Sequence, residues 1–385
     1  MCFSKYGIGC CQFNIRHIAD DGEILWRKRR DCPTLAVNVQ PGLNGASSIL
    51  PALCAAHLAD GSVIVGGAPR RSDRALLDCY SAGGSLVWSL GFDSLLTQPT
   101  GDFPDESDVA HLEWWVNSVD VTPDDTIVFV AHRQTGVTPD RCEHRIIECD
   151  ADGTVVASTS ITAGGIARLR CSPDGDVIAS RRSLSSGGAG NVRIWSADRS
   201  TYGVLSGYTL SAPIADAFAR PSDGEIAIAA NGPTDAFYTG RQQAGLWSAS
   251  GGGQVWTLNT QSVSLATTGV RSIGQQSTGK MIIAGSLNLG GGLKYVARLT
   301  SGGVYEADLS PSGGPTEILG AARVATLPTD YLIYFGGDGV SQRDATGAKV
   351  WTHLIPTIWA VECASDGKLT VVGGTSRSSD EELFV

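Results

Sequence analysis

One unit recurs seven times along this chain. A short apolar strand leads into a tight turn at Asp-Gly or a relative of it, and a second strand follows. After a variable loop comes another tight hairpin, often closed by Trp. Self-similarity at a period of roughly 50 residues marks a repeat architecture, in which each unit buries its apolar surface only against its neighbours. The first hairpin runs over Leu53–Val65 around Asp60-Gly61, Val119–Val130 around Asp124-Asp125, and Leu169–Ala179 around Asp174-Gly175. It returns as Phe218–Ala229 around Asp223-Gly224, Ile273–Ala284 around Thr278-Gly279, Val324–Phe335 around Thr329-Asp330, and Val361–Val372 around Asp366-Gly367. Asp-Gly between apolar runs is a strong hairpin signal, because the turn needs a positive φ that Gly supplies without strain. Apolar residues alternate within these runs (Val63 and Val65, Val119 and Val121, Ile226 and Ile228), which is the period of a strand.

The second hairpin turns at Asp21-Gly22, Gly83-Gly84, Asp152-Gly153, Asp198-Arg199, Gly251–Gly253, Ser301–Gly303 and Thr346-Gly347. Its outer strand carries Trp26, Trp88, Tyr202, Trp256, Tyr305 or Trp351, and the third unit has the plain pair Val155 and Val156. Large aromatics at a repeated site predict wedges between neighbouring units. The two hairpin series are out of phase. The chain opens on a second hairpin, Phe13–Trp26, and closes on a first hairpin, Trp359–Val372. Neither makes a sheet alone, and together they make one. The expectation is an all-β fold: a single seven-bladed β-propeller of four-stranded antiparallel blades, spanning 1–385 as one domain. One blade is shared by about 12–30 with 358–373. Pairing of the ends is expected to leave no free sheet edge. The tail Glu382–Val385 resembles the start of a strand whose place Phe13–Ile18 already holds.

Composition narrows the partners. A net charge of −10 disfavours nucleic acid and anionic lipid, whose phosphates need clustered cations. No apolar run approaches the roughly 20 residues of a membrane helix, and Met1–Gly9 has no apolar signal-peptide core. A cytoplasmic or virion-associated location is expected. The ten cysteines contain no Cys-x-x-Cys. Cys171 and Cys363 both precede a first turn, and Cys79 and Cys149 both end a third strand, so they read as small buried hydrophobes in a reducing compartment. Cys10 and Cys11, with Cys32 or Cys2, are the candidates for oxidation. No zinc-ligand spacing occurs.

In a propeller the first and second hairpin turns emerge on one face, and all other connections emerge on the opposite one. The insertions belong to the second set: 31–51, 91–113, 131–143, 181–190, 231–243 and 310–318. Loops that vary on a rigid scaffold are where binding resides. Arg70, Arg71, Arg74, Arg133, Arg141, Arg181, Arg182 and Arg241 fall there, with Phe92, Phe103, Trp114, Trp115, Phe237 and Tyr238. Arg with aromatics suits a protein interface and also stacks on sugars. The plainer reading is solvated arginines and aromatics that anchor their own loops. The binding candidates are Arg133, Arg181, Arg182, Arg241, Trp114, Trp115, Phe237 and Tyr238. Asp102, Asp105, Glu106 and Asp108 share one acidic loop whose spacing departs from the EF-hand pattern. His111, His132, His144 and Cys142 lack fixed metal-ligand spacing, so no metal is expected.

The innermost strands carry Asp120, Arg168, Arg170, Asp216, Arg271, Arg323 and Glu362, expected to line a hydrated channel and to pair across blades. His57 is the one histidine near them and reads as a satisfied structural residue. No nucleophile elbow, readable carboxylate pair or histidine constellation appears, and neither catalytic residues nor a cofactor are called for.

Asp344-Ala-Thr-Gly-Ala-Lys-Val-Trp351 resembles the docking motif of quinoprotein-like (PQQ-like) propeller repeats, one residue short before the Thr. Asp21-Gly-Glu-Ile-Leu-Trp26 and Gly83-Gly-Ser-Leu-Val-Trp88 are weaker copies, and Ser172-Pro-Asp-Gly175 is similar to the first turn of WD40-type repeats. The resemblance implies how blades dock. It does not imply the quinone cofactor, because the family's ligand carboxylates, its disulfide pair and its usual eight blades have no counterpart here. The reading that follows is a non-catalytic module in a larger assembly, such as a phage virion or tail. A carbohydrate or small-molecule binder on the loop-rich face is the second class, and a lyase or hydrolase at the channel mouth is the third.

Overall fold

The computed structural model describes residues 11–32, 54–67, 75–91, 115–134, 142–161, 166–181, 191–198, 200, 202–204, 214–221, 223–230, 244–248, 253–258, 270–286, 294–310, 321–326, 329–336, 339–355 and 358–374. They form twenty-eight strands in seven four-stranded antiparallel sheets. Blade one holds β3 (Cys54–His57), β4 (Val63–Gly66), β5 (Ala75–Tyr80) and β6 (Leu86–Gly91), from axis to rim. Blade two holds β7 (Trp115–Val121), β8 (Ile127–Gln134), β9 (Cys142–Cys149) and β10 (Val155–Ile161). Blade three holds β11 (Ile166–Cys171), β12 (Val177–Arg181), β13 (Asn191–Trp195) and β14 (Tyr202–Val204). Blade four holds β15 (Ile214–Ala219), β16 (Ile226–Ala230), β17 (Ala244–Trp247) and β18 (Gln254–Leu258). Blade five holds β19 (Val270–Gln275), β20 (Met281–Ser286), β21 (Lys294–Leu299) and β22 (Tyr305–Asp308). Blade six holds β23 (Ala321–Thr326), β24 (Leu332–Gly336), β25 (Gly339–Arg343) and β26 (Lys349–Leu354).

Blade seven joins the two ends of the chain in the order β27 (Ile358–Cys363), β28 (Leu369–Gly374), β1 (Cys11–Ile18), β2 (Ile24–Cys32). The closing register runs from Phe13 opposite Gly374 to Ile18 opposite Leu369. Neighbouring inner strands touch all round the ring, ending with β27 against β3. The expected seven-bladed propeller is the fold observed. The tail 382–385 lies outside the described residues.

In blades one, two, three, five and seven the first turn closes through a hydrogen bond from its left-handed residue to the carbonyl three residues back, as Gly61 N–H donates to Leu58 O, and in blade four Gly224 N–H reaches Arg220 O four residues back. The preceding Asp holds the exit, Asp60 Oδ1 accepting the Ser62 N–H at 2.8 Å. In blades two and six the left-handed position is Asp125 (φ 63°) and Asp330 (φ 64°) instead of Gly. Both side chains reach the first turn of the preceding blade. Asp125 Oδ1 accepts the Ala59 N–H at 2.9 Å, and Asp330 accepts from the Ser277 backbone and hydroxyl. A short polar side chain tolerates positive φ, and here it braces two blades.

The second turns receive the aromatics. Trp26, Trp88, Trp256 and Trp351 donate their indole N–H to Ala82, Ala151, Ser301 and Asp20 of the next blade at 2.9–3.0 Å. Each indole lies on the left-handed glycine of that same turn. A methyl group at Gly84 would come within 2.7 Å of the Trp26 ring, and one at Gly153 within 2.9 Å of Trp88. Tyr305 also wedges between two blades, in the cluster shared by blades four and five, but from a different register position. Trp26, Trp88 and Trp351 follow the left-handed Gly22, Gly84 and Gly347 by four residues, whereas Tyr305 follows Gly303 by two, so Ala307 occupies the Trp position. Tyr305 packs toward blade four, while Leu309 covers Gly347 of blade six. The side chain of Tyr202 lies outside the described residues.

The expected absence of sheet edges is also corrected. Ring closure pairs the chain ends, yet every blade keeps an outer edge at β2, β6, β10, β14, β18, β22 or β26. Bulges blunt these edges except β14, and the inserted residues Leu25, Val87, Val156, Val255 and Val350 are exposed.

Gly84→Ala should therefore destabilise more than Gly61→Ala. Both carry left-handed strain of about 1–2 kcal/mol, and Gly84→Ala adds overpacking of about 1–3 kcal/mol against Trp26. The nearest atom to a methyl at Gly61 is 3.4 Å away. Urea denaturation of the two variants measures the difference, and equal losses would remove the docking role of the indole.

Candidate functional site

The inner strand of each blade pairs on one side only, so its other edge turns unpaired N–H and C=O groups toward the axis. Side chains of the preceding blade meet that need between blades two and three. Ser118 Oγ accepts the Leu169 N–H at 2.9 Å, and Asp120 Oδ2 accepts the Cys171 N–H at 2.7 Å. Asp120 Oδ1 accepts the N–H of Val121 at 2.9 Å, so both of its oxygens are engaged.

From there a charge network crosses the axis. Arg168 Nη1 lies 3.2 Å from Asp216 Oδ2 of blade four. Arg170 Nε lies 3.9 Å from Asp216 Oδ1. Arg170 Nη1 lies 3.1 Å from Glu362 Oε1 of blade seven, on the far side of the ring. Arg168, Arg170 and Glu362 each keep 23% of their side-chain surface exposed, and Asp216 keeps 2%. Glu362, Asp120 and Arg170 stand at the same register position of their blades, one residue before the end of each inner strand.

Burial shifts these groups. Asp120 is raised to about 6, chiefly by loss of hydration. Arg170 works against that rise, and the Glu362 charge adds to it. Burial acts to lower Arg170, but the carboxylates of Glu362, Asp216 and Asp120 outweigh it and hold the guanidinium charged. Arg168 is lowered by burial and then by Arg170 beside it. Asp120, Arg170, Asp216 and Glu362 are thus brought together, and Arg168 joins them. Arg271 lies on β19 and Arg323 on β23, with side chains outside the described residues.

Trp115, Arg133 and Arg181 lie at the ends of β7, β8 and β12 on the face opposite the short turns. Their side chains, and Trp114, Arg182, Phe237, Tyr238 and Arg241 entirely, lie outside the described residues. So do the acidic loop 101–108 and His111. The two faces differ in their connections. The short-turn face carries segments of five or six residues, such as 58–62, 81–85 and 248–253. From the other face leave 33–53, 92–114, 231–243 and 259–269.

Cys54, Cys79, Cys149, Cys171 and Cys363 are free thiols. Burial raises Cys54, Cys79 and Cys149 to about 12, which keeps them protonated and unreactive. Cys11 and Cys32, read as candidates for oxidation, are register partners on β1 and β2. No group of metal-ligating side chains occurs among the described residues, and among them no helix is long and apolar enough to cross a membrane.

No family model matches the chain, and no curated protein sequence matches it. Solved structures do. A chain in a structure titled as the mitotic checkpoint complex is 13% identical with a TM-score of 0.54, covering 83% of this chain and 86% of its own. The Dos1 propeller is 13% identical with a TM-score of 0.52, covering 84% and 78%. Sqt1 from Chaetomium thermophilum is 16% identical with a TM-score of 0.48, covering 81% and 75%. The likeness to the first two shows a shared β-propeller fold.

Glu362→Gln should lower the Asp120 titration midpoint from about 6. The change removes a like charge and leaves Arg170 freer to attract Asp120, two effects of the same sign. Carbon-detected NMR of the carboxyl signals reads it. An unmoved midpoint would show that the two carboxylates do not interact.

Proposed function

We propose that this chain is a non-catalytic interaction propeller that presents its loop-bearing face to another macromolecule within a larger assembly. The observation that carries the reading is the inequality of the two faces. Tight turns of uniform length close one, and all the long connections leave from the other. A rigid ring with variable segments on one side has the form of a binding scaffold. The axis supports a structural role for the channel. Asp120 is held by two backbone N–H groups, while Asp216 and Glu362 neutralise Arg168 and Arg170. The same fold occurs in a chain of the mitotic checkpoint complex, so it is compatible with life inside a multi-chain particle.

The partner is a protein met through Arg133, Arg181, Arg182 and Arg241 with Trp114, Trp115, Phe237 and Tyr238. The setting is cytoplasmic or virion-associated, and a phage tail or neck is one such place. Reversing charge at Arg181 and Arg182 together should release the protein from its assembly, with at least a tenfold loss in copurification and unchanged thermal melting. Retained assembly would overturn the role of these arginines. Replacing Trp114 and Trp115 by Ala tests the carbohydrate alternative: loss of a glycan-array signal, with assembly intact, would move the reading to a sugar-binding propeller.

A further inference from the structure

Three of the six histidines of the chain lie in or beside blade seven, the blade that closes the ring. His353 of blade six lies at its near side, with Nε2 2.7 Å from the Gly22 carbonyl oxygen and its ring 5.3 Å from Trp351. The far side differs in kind. Thr370 of β28 is fully buried, and its hydroxyl sits between two imidazoles. His17 Nδ1 on β1 is 3.1 Å from Thr370 Oγ1, and His57 Nε2 on β3 of blade one is 2.7 Å from the same oxygen. His17 stacks on Trp26 at 5.2 Å, and the two imidazoles meet edge to face at 5.8 Å. His57 Nδ1 is buried without a hydrogen-bond partner. His57 is therefore not the isolated histidine that its strand suggested.

This arrangement accepts neutral rings and resists charged ones. One hydroxyl can donate to a bare ring nitrogen and accept from an N–H. A protonated His57 carries N–H groups at both ring nitrogens, with no acceptor at Nδ1, and puts a charge 5.8 Å from a second imidazole. The charged groups facing the pair come from the turn between β27 and β28: Asp366 favours the protonated rings and Lys368 opposes them. These two are ion-paired with each other, so neither acts with its full charge. His353 differs, because its Nε2 faces a carbonyl oxygen, which is an acceptor only.

We infer that the seam between blades seven and one is an acid-sensitive latch, which loosens when His57 and His17 take up protons while the seam between blades six and seven holds. Burial lowers both rings, His57 to about 4. A group whose folded pKa lies below its unfolded value contributes stability in full above the unfolded value, about 6.5 for His, and loses it as pH falls toward the folded one. The window is therefore about pH 6.5 to about 4. Asp120, being raised, acts in the opposite sense between its unfolded value and about 6. The latch must be read as a difference between proteins and not from one pH profile.

The test uses the full chain. Hydrogen exchange at pH 7 and pH 5, normalised for intrinsic rates, should show amides of β1, β28 and β3 losing at least fivefold protection, with those of β26 and the Asp21-Gly22 turn unchanged. His17→Gln together with His57→Gln should abolish that difference, and its melting temperature should fall less than that of the parent between pH 6.5 and pH 4.5, by roughly 3 °C. Uniform loss of protection round the ring would overturn the latch. If the double variant does not fold, proton NMR of the parent imidazoles decides: midpoints near 6.5 for both rings would overturn it, and midpoints well below would support it.

Discussion

The pairing of β1 with β28 is the constraint on which the rest depends. Each apolar cluster is shared by two adjacent blades, as Ile15, Trp26 and Val372 of blade seven pack with Ala55, Val63 and Tyr80 of blade one. Among the described residues no blade has a core of its own. In an open array of such units the end blades would each leave one face uncovered. Six register pairs between Phe13–Ile18 and Leu369–Gly374 remove both exposed faces at once. The seam after this joint is reinforced by charge as well as by apolar contact. Arg30 of β2 is buried against Asp78 of β5 at 2.9 Å, and it also donates to the carbonyl oxygens of Ala75 and Leu76. A buried pair of this kind contributes little net stability against apolar replacements. Loss of one partner, however, strands the other charge at a cost of about 3–5 kcal/mol. It therefore fixes which surfaces meet more than how tightly they do.

Blade docking follows a rule with exceptions that are physically informative. Where the outer strand supplies Trp, the next turn supplies a left-handed glycine beneath it and a carbonyl to receive the indole N–H. Where Ala157 or Ala307 takes that place, the seam is held otherwise. At the seam from blade five to blade six, Leu309 covers Gly347, and Tyr334 donates its hydroxyl to the Leu309 carbonyl at 2.8 Å. The left-handed aspartates work from the opposite direction, Asp125 and Asp330 reaching back to the blade before. Two local chemistries thus serve one need, the fixed spacing of adjacent wedges.

How much of this was legible in the sequence depends on how local each cause is. Turn position and strand alternation are written within a few residues, and the phase offset between the two hairpin series is enough to expose the shared blade. Register is less local. Trp26, Trp88 and Trp351 follow the turn glycines Gly22, Gly84 and Gly347 by four residues and Tyr305 follows Gly303 by two, a spacing that takes on meaning only once the bulged register of the outer strands is known. The axial contacts are less visible still. Arg170 and Glu362 are 192 residues apart, and His17 and Thr370 are 353 apart. Their charges could be placed on inner strands, but their partners could not, because the ring decides which strands face one another. The arginine and aromatic set of the loop-bearing face was read from composition, and only the strand ends at Trp115, Arg133 and Arg181 locate it on the scaffold.

The axial network and the closing seam stand in an instructive contrast. At the axis, two guanidinium groups and three carboxylates share a partly hydrated space, so a proton gained or lost by Asp120 is met by neighbours of both signs. At the seam, two neutral imidazoles share one buried hydroxyl, and the nearest opposite charges are already spent on each other. The first site absorbs a change of charge, and the second has no means to do so. Protonation therefore bears hardest on the one blade whose assembly already requires the two distant ends of the chain to meet. A ring built from seven similar seams acquires a single preferred place to open, set by three side chains that only closure brings together.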